Sequence, residues 1–459
     1  MKKLLSSVLS ESGNTKLYRD INYFYKNGTI ISLDKVNTNI SKQSDKGCKF
    51  RVWDGAMFHE HGQSDISFEG LKKGLGSLIS KAEKSVKKGA HYDNLSVDTT
   101  EMDKDFFWKP RISPETKTAE DKVKQLSEYR RRLLDIGEHV VNVQLRYIET
   151  YEEHAFVNSY RTLSQQIPLC KVVIVAFVKG RDGQIHTVLK PFVDTGLEVF
   201  DKVNAGFSHI EWLIEAKRNS SRIEGGKYTV VLSPKLAGIL AHESFGHGME
   251  ADTMYRNRAL ASEYINTQIA PSYVNIVDSP GVEGKNGAFF FDHEGNLSEK
   301  TYLVKDGVIS TPMADLFTKT KMQLKQSNNS RCQSYDHKNY VRMSNTFFVN
   351  ADSPEEDLFS QVKDGMYVRE TEGGMEDPKG WGVQIQGNFA QRIKDGKLTE
   401  EYYDGFALTG FLPDLLKAIK GVGNVFSLEG AGSCGKGHKE WVRVAEGGAH
   451  ILIDGAILG

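Results

Sequence analysis

The run His242-Glu243-Ser244-Phe245-Gly246-His247 constrains this chain more than any other, because it sets two imidazoles and a carboxylate inside an otherwise apolar helical segment. Tyr228 to Leu232 is β-rich, Ser233 suits an N-cap and Pro234 suits the first helical position. Leu236, Ile239 and Leu240 then form an apolar stripe leading into His242. Two histidines bracketing a glutamate are what a zinc hydrolase needs. In the H-E-x-x-H arrangement the imidazoles share one ion a helical turn apart, and the glutamate takes a proton from the attacking water. Here the spacing is five residues. On an ideal helix five residues turn roughly 500°, which leaves the side chains about 140° apart. A shared ion therefore predicts a distortion, either a π-type turn or an unravelling at Gly246. The plainer reading is a buried helix whose imidazoles are satisfied core groups. Against it, buried charge needs a partner, and a cation supplies one.

A catalytic zinc takes three protein ligands and keeps a fourth position open. The residues leave the third ligand undecided among Glu250, Asp252, His293 and Cys434. Cys434 lies in Gly430-Ala-Gly-Ser-Cys434-Gly-Lys436-Gly437, where a glycine-rich loop brings a thiolate close to an ion and Lys436 favours the thiolate form. Its plainer reading is a free buried cysteine in a turn.

Three segments carry a family resemblance: Gly238 to Asp252 around the histidines, Arg331-Cys-Gln-Ser-Tyr335 followed by Val341 to Thr346, and Gly432-Ser-Cys434-Gly435-Lys436. In content, order and spacing they resemble the TldD/PmbA family over residues 225 to 459. The resemblance implies a metallopeptidase with zinc held by His242, His247 and Cys434, and Glu243 as general base. The family also contains subunits that lack the metal motif and pair with an active one. This chain keeps the motif and so resembles the catalytic TldD type. It departs from the family after Cys-Gly-Lys, where Gly437-His438-Lys439 replaces the usual glutamine and Pro-Val stretch, and at Arg331-Cys332, where paired arginines are usual. His438 reads as a solvated loop histidine that competes for the metal only if the loop turns inward.

At 459 residues the chain is long enough for two or three domains. A net charge of −1 carries no basic stripe for nucleic acid. No segment approaches the roughly 20 apolar residues of a membrane span. Cys48, Cys170, Cys332 and Cys434 show neither C-x-x-C spacing nor a disulfide framework, which fits a reducing, cytoplasmic compartment. Met1 to Leu9 is too short and too serine-broken for a signal peptide and reads as an amphipathic helix.

The expected fold is α+β: an N-terminal α/β domain over residues 1–222 and a β-rich, barrel- or sandwich-like domain over 223–459 that carries the metal-site helix. In the first part, Asn27-Gly28 signals a hairpin, and apolar residues from Phe68 to Ala82 recur at helical spacing. A further helix is expected from Ser113-Pro114, a strand over 141–147, a hairpin around Arg181-Asp182-Gly183, and a helix from Leu197 to Lys217. The second part has many short strands with turns at Asp306-Gly307 and Asp395-Gly396.

A thiolate ligand makes zinc a weaker Lewis acid, so an additional oxyanion donor is expected, with Arg342 and His293 as candidates. A β-rich domain predicts that peptide binds as an added strand, which favours unfolded or extended substrates. The family resemblance implies a dimer with a motif-lacking paralogue, and pairing of the chain with itself is the alternative. Two other function classes share parts of the pattern: a metal amidohydrolase acting on small amides, and a non-catalytic regulatory partner of the gyrase-modulator type.

Overall fold

The computed structural model describes residues 1–13, 15–86, 94–325, 327–438 and 440–459. The first half is built on one large sheet. Its strands run in the order Phe58–Gln63, Thr38–Trp53, Arg19–Leu33, Val140–Val157 and Arg161–Lys179. The outer edge of Arg161–Lys179 takes two further strands, Met102–Phe107 in parallel and Ile185–Asp194 antiparallel. Alternation along the strands gives the sheet one buried face and a second face that is buried over part of its length. Val143, Leu145, Tyr147, Ala155 and Val157 face helices Lys2–Glu11, Phe68–Ser85, Ala119–Leu134 and Val199–Arg218. The intervening residues, including Glu152, His154 and Phe156, face the second half of the chain.

Two local expectations are corrected. Asn27 and Gly28 sit inside a continuous strand paired on both sides, and the chain turns instead at Asp34–Asn37. Gly28 is needed for close approach, since a Cβ there would lie 2.3 Å from the Glu149 carbonyl oxygen. The helix expected from Ser113 begins later. A single 3₁₀ turn at Pro114–Thr116 comes first, and a Thr118–Asp121 capping box then starts Ala119–Leu134.

In the second half the choice between barrel and sandwich resolves to a barrel. Strand Gly226–Leu232 pairs with Ile451–Leu458, which pairs with Phe406–Phe411, which pairs with Gly382–Lys394. That last strand pairs with Asp364–Glu376, which returns to Gly226–Leu232 and closes a five-stranded ring. Hairpin turns at Asp306-Gly307 and Asp395-Gly396 have both residues at positive φ, as sequence expects. A second sheet includes Ile276–Asp278, Asn345–Phe348 and Ala445–Gly448. The segment after Gly226–Leu232 packs between barrel and second sheet, with Leu236, Leu240 and Phe245 in the shared core. Among the described residues no helix is long and apolar enough to cross a membrane.

Candidate metal centre

The chain enters the site straight from a barrel strand. Ser233 ends Gly226–Leu232, accepts a hydrogen bond from the Leu236 amide and donates its hydroxyl to the Arg369 carbonyl, so the cap also ties the helix to the neighbouring strand. Pro234–Ile239 is α-helical. From Leu240 to Gly246 the winding widens to a π-helix, and His247–Met249 then tightens to a 3₁₀ turn. The π-helix brings residues five apart into register, as the histidine spacing demands. The rings of His242 and His247 stand 5.2 Å apart, centre to centre, and nearly perpendicular. Gly238 fixes the helix against the second sheet, because a Cβ there would fall 1.9 Å from the Gly447 nitrogen.

Cys434 comes from a β-hairpin, Ser433–Lys436 against Glu440–Arg443, where sequence reading expected a loop. The structure brings its sulfur to the two imidazoles: ligand atoms of His242, His247 and Cys434 all lie within 4.8 Å of one another. The Cys434 Sγ is 3.4 Å from His247 Nε2. On the far side of that ring, Nδ1 meets Glu250 Oε2 at 3.2 Å. Glu250 therefore lies outside the cluster and orients His247, as carboxylates behind metal-binding imidazoles do. The Glu243 carboxylate stands 3.9 Å from His247 Nε2 with its side chain 23% exposed, beside the cluster and open to solvent.

Lys436 does not act on the thiol as sequence reading expected. Its ammonium binds Glu250 Oε2 at 2.9 Å, Asp252 Oδ1 at 2.6 Å and the Val341 carbonyl. Burial works against the Cys434 thiolate, but the charge of His247 and the hydrogen bonds of both imidazoles overcome it and hold the thiol well below its ordinary pKa. Burial likewise disfavours charged imidazoles, and the Cys434 sulfur reverses that, lifting His242 to about 9 and His247 well above the ordinary value. A site that stabilises a thiolate with two protonated imidazoles suits a divalent cation in charge and in donor type. His242 Nδ1 is buried without a hydrogen-bond partner. These residues fit zinc.

Arg342 is fully buried and spends its guanidinium on the Cys434 and Glu440 carbonyls, which braces the hairpin. His293 lines a cavity of about 320 Å³ with Phe24, His154, Arg331, Trp441 and Arg443, whose lining includes none of the three clustered residues. Its Nδ1 accepts from the Cys332 amide at 3.0 Å. His438 is exposed at the hairpin turn. Sequence reading missed Glu376, whose two carboxylate oxygens are buried, and the half-buried Glu446; both feel the charges of His242 and Glu243. Both lie far from the motif in sequence, and no local spacing marks them.

The family described as PmbA/TldA metallopeptidase C-terminal domain matches residues 225–457. A metalloprotease of Methanothermobacter thermautotrophicus is 31% identical over 326 residues, covering 70% of each chain. The chain belongs to this metallopeptidase family. A metalloprotease of Methanocaldococcus jannaschii is 26% identical over 445 residues and 95% of both chains. A zinc metalloprotease TldD homologue of Saccharolobus solfataricus is 26% identical over 287 residues, 60% of this chain and 62% of that one. TldE of Thermococcus kodakarensis shares the fold at a TM-score of 0.77 and 14% identity, covering 100% of this chain and 99% of that one.

Proposed function

We propose that this chain is a zinc-dependent metallopeptidase acting on extended or unfolded polypeptides, with His242, His247 and Cys434 as ligands and Glu243 as general base. The observation that carries this reading is the convergence of the three donor groups on a π-helix and a hairpin, with a solvent-reached carboxylate next to them. Zinc held there supplies Lewis acidity, polarising the scissile carbonyl and making water easier to deprotonate. Glu243 accepts the proton of the attacking water and passes it to the leaving amine. Glu250, buried and clamped by Lys436, keeps the His247 ring turned toward Cys434.

The barrel supports an extended substrate. Strand Asp364–Glu376 pairs with Gly226–Leu232 only over Gly365–Val368, so among the described residues its Thr371–Glu376 stretch has strand partners on one side. Gly374 in that stretch comes so near the base that a Cβ there would lie 3.1 Å from Glu243 Cγ. A peptide added along this edge presents its backbone to Glu243. Pairing with a second copy, or with a motif-lacking relative, and a cytoplasmic location belong to the same reading.

Glu243→Gln keeps the shape of the carboxylate without its basicity. It is expected to retain about one zinc per chain and lose at least ~10²-fold in peptide hydrolysis. Near-normal turnover with bound metal contradicts the assignment. A wild-type protein that binds no zinc points instead to a regulatory role.

A further inference from the structure

We infer that Glu376 binds a positively charged group of the substrate, an ammonium or guanidinium, beside the catalytic base. This rests on the peptidase reading above and adds a substrate preference to it.

Both carboxylate oxygens of Glu376 are buried and have no hydrogen-bond partner. A buried carboxylate without a partner is costly, so a site that retains one is completed by something that arrives. Strand geometry shows where the side chain points. Gly374 and Glu376 are two residues apart in a regularly paired stretch, Gly374 opposite Ile385 and Glu376 opposite Val383, so they share a face. Gly374 touches Glu243, and Glu376 therefore projects to the same side. Met375 between them is 61% exposed on the other face.

The cations nearby are already committed. Lys436 binds Glu250 and Asp252, Lys235 binds Glu370 at 3.0 Å, and Arg342 binds carbonyls. Zinc would bring two positive charges, which the Cys434 thiolate and the Glu243 carboxylate balance. Glu376 remains, and burial, opposed by the charge of His247 and reinforced by Glu243 and Glu250, pushes it up to about 8. A cationic substrate group relieves it. It comes from one of two sources, the peptide's α-ammonium or a lysine or arginine side chain.

Three extended peptides of one sequence separate the sources: free amino terminus with norleucine, acetylated terminus with norleucine, and acetylated terminus with lysine in its place. The wild type is expected to favour one cationic peptide over the neutral one by about 10- to 100-fold in kcat/KM, mostly through KM. In Glu376→Gln that ratio is expected to fall about 10-fold or more while zinc content stays at the wild-type level. Glu376→Asp is expected to keep part of the preference. Calorimetric Kd values for the same peptides on Glu243→Gln, with and without Glu376→Gln, give the same ratio without turnover and decide the matter if Glu376→Gln is inactive. An unchanged ratio in both measurements, or loss of zinc from Glu376→Gln, overturns the inference. Wild-type protein that cleaves no peptide while Glu243→Gln still prefers the cationic one contradicts the peptidase reading and leaves the binding site standing.

Discussion

At the residue scale the centre is a set of groups that hold one another's protons. His242 keeps its proton up to about 9 because the Cys434 sulfur accepts from it and outweighs the cost of burial. Zinc held by His242 would displace that proton, so metal binding would release protons and its affinity would rise with pH. Between pH 7 and pH 9 the apparent zinc affinity, measured against a chelator, is expected to climb. A flat profile across that window contradicts the linkage. The sequence showed the two imidazoles and Glu243 because their spacing is local. It left the third ligand open, since Glu250 is three residues from His247 and Cys434 is not. What separates them is which ring nitrogen each meets, Nδ1 for Glu250 and Nε2 for Cys434, and spacing carries no such information. Lys436 misled for the same reason: its neighbour in sequence is the thiol, and its partners in space are two carboxylates.

At the element scale the metal helix and the Cys434 hairpin depend on supports from opposite ends of the chain. A distortion was legible as a necessity of the five-residue spacing, with a π-type turn as one of its two forms, and Ser233-Pro234 marked the start of the helix that leads into it. The hairpin was not, because glycines that look like loop residues serve here to pair tightly and to turn at Gly437, whose φ is +63°. Asn27-Gly28 erred in the opposite direction, a turn sequence held straight by strands on both sides. The hairpin is anchored to the first sheet by Arg443, which binds Glu152 at 2.6 Å. Burial raises the cost of charge on Glu152, yet Arg443 and Lys26 hold its carboxyl at about 2, against 4.5 when unperturbed. Its folded value is depressed, so the pair stabilises the protein above about pH 4.5, and that contribution drains away as pH falls toward 2. Glu152→Gln is expected to lose ~1–3 kcal/mol at pH 7, with the difference from wild type shrinking at pH 3. Denaturant unfolding at the two pH values checks this, and an equal deficit at both would show that the pair contributes through packing alone.

At the scale of the whole molecule, one sheet is covered by helices on one face and in part by the second half on the other, and one barrel is closed by strands from both ends of the second half. Strand types and most helices could be read from periodicity. Closure could not, because it joins residues 226–232 to 451–458 and 364–376, pairings that no local pattern encodes. The free stretch at Thr371–Glu376 predicts selectivity for chain state. A protein substrate offered stably unfolded is expected to be cleaved at sites that resist cleavage when it is folded, because added strands need unpaired backbone groups. Equal rates at the same sites, followed by mass mapping of products, would remove strand addition. In the proposed centre, distant parts of this chain assemble one metal site from His242, His247 and Cys434. Metal content of Cys434→Ala and Glu250→Gln, purified in parallel with wild type, tests it most directly. Cys434→Ala is expected to lose zinc, while Glu250→Gln is expected to retain it with weakened affinity. Full zinc in the cysteine variant together with loss from the glutamate variant would contradict it and place the ion on a local His-His-Glu cluster.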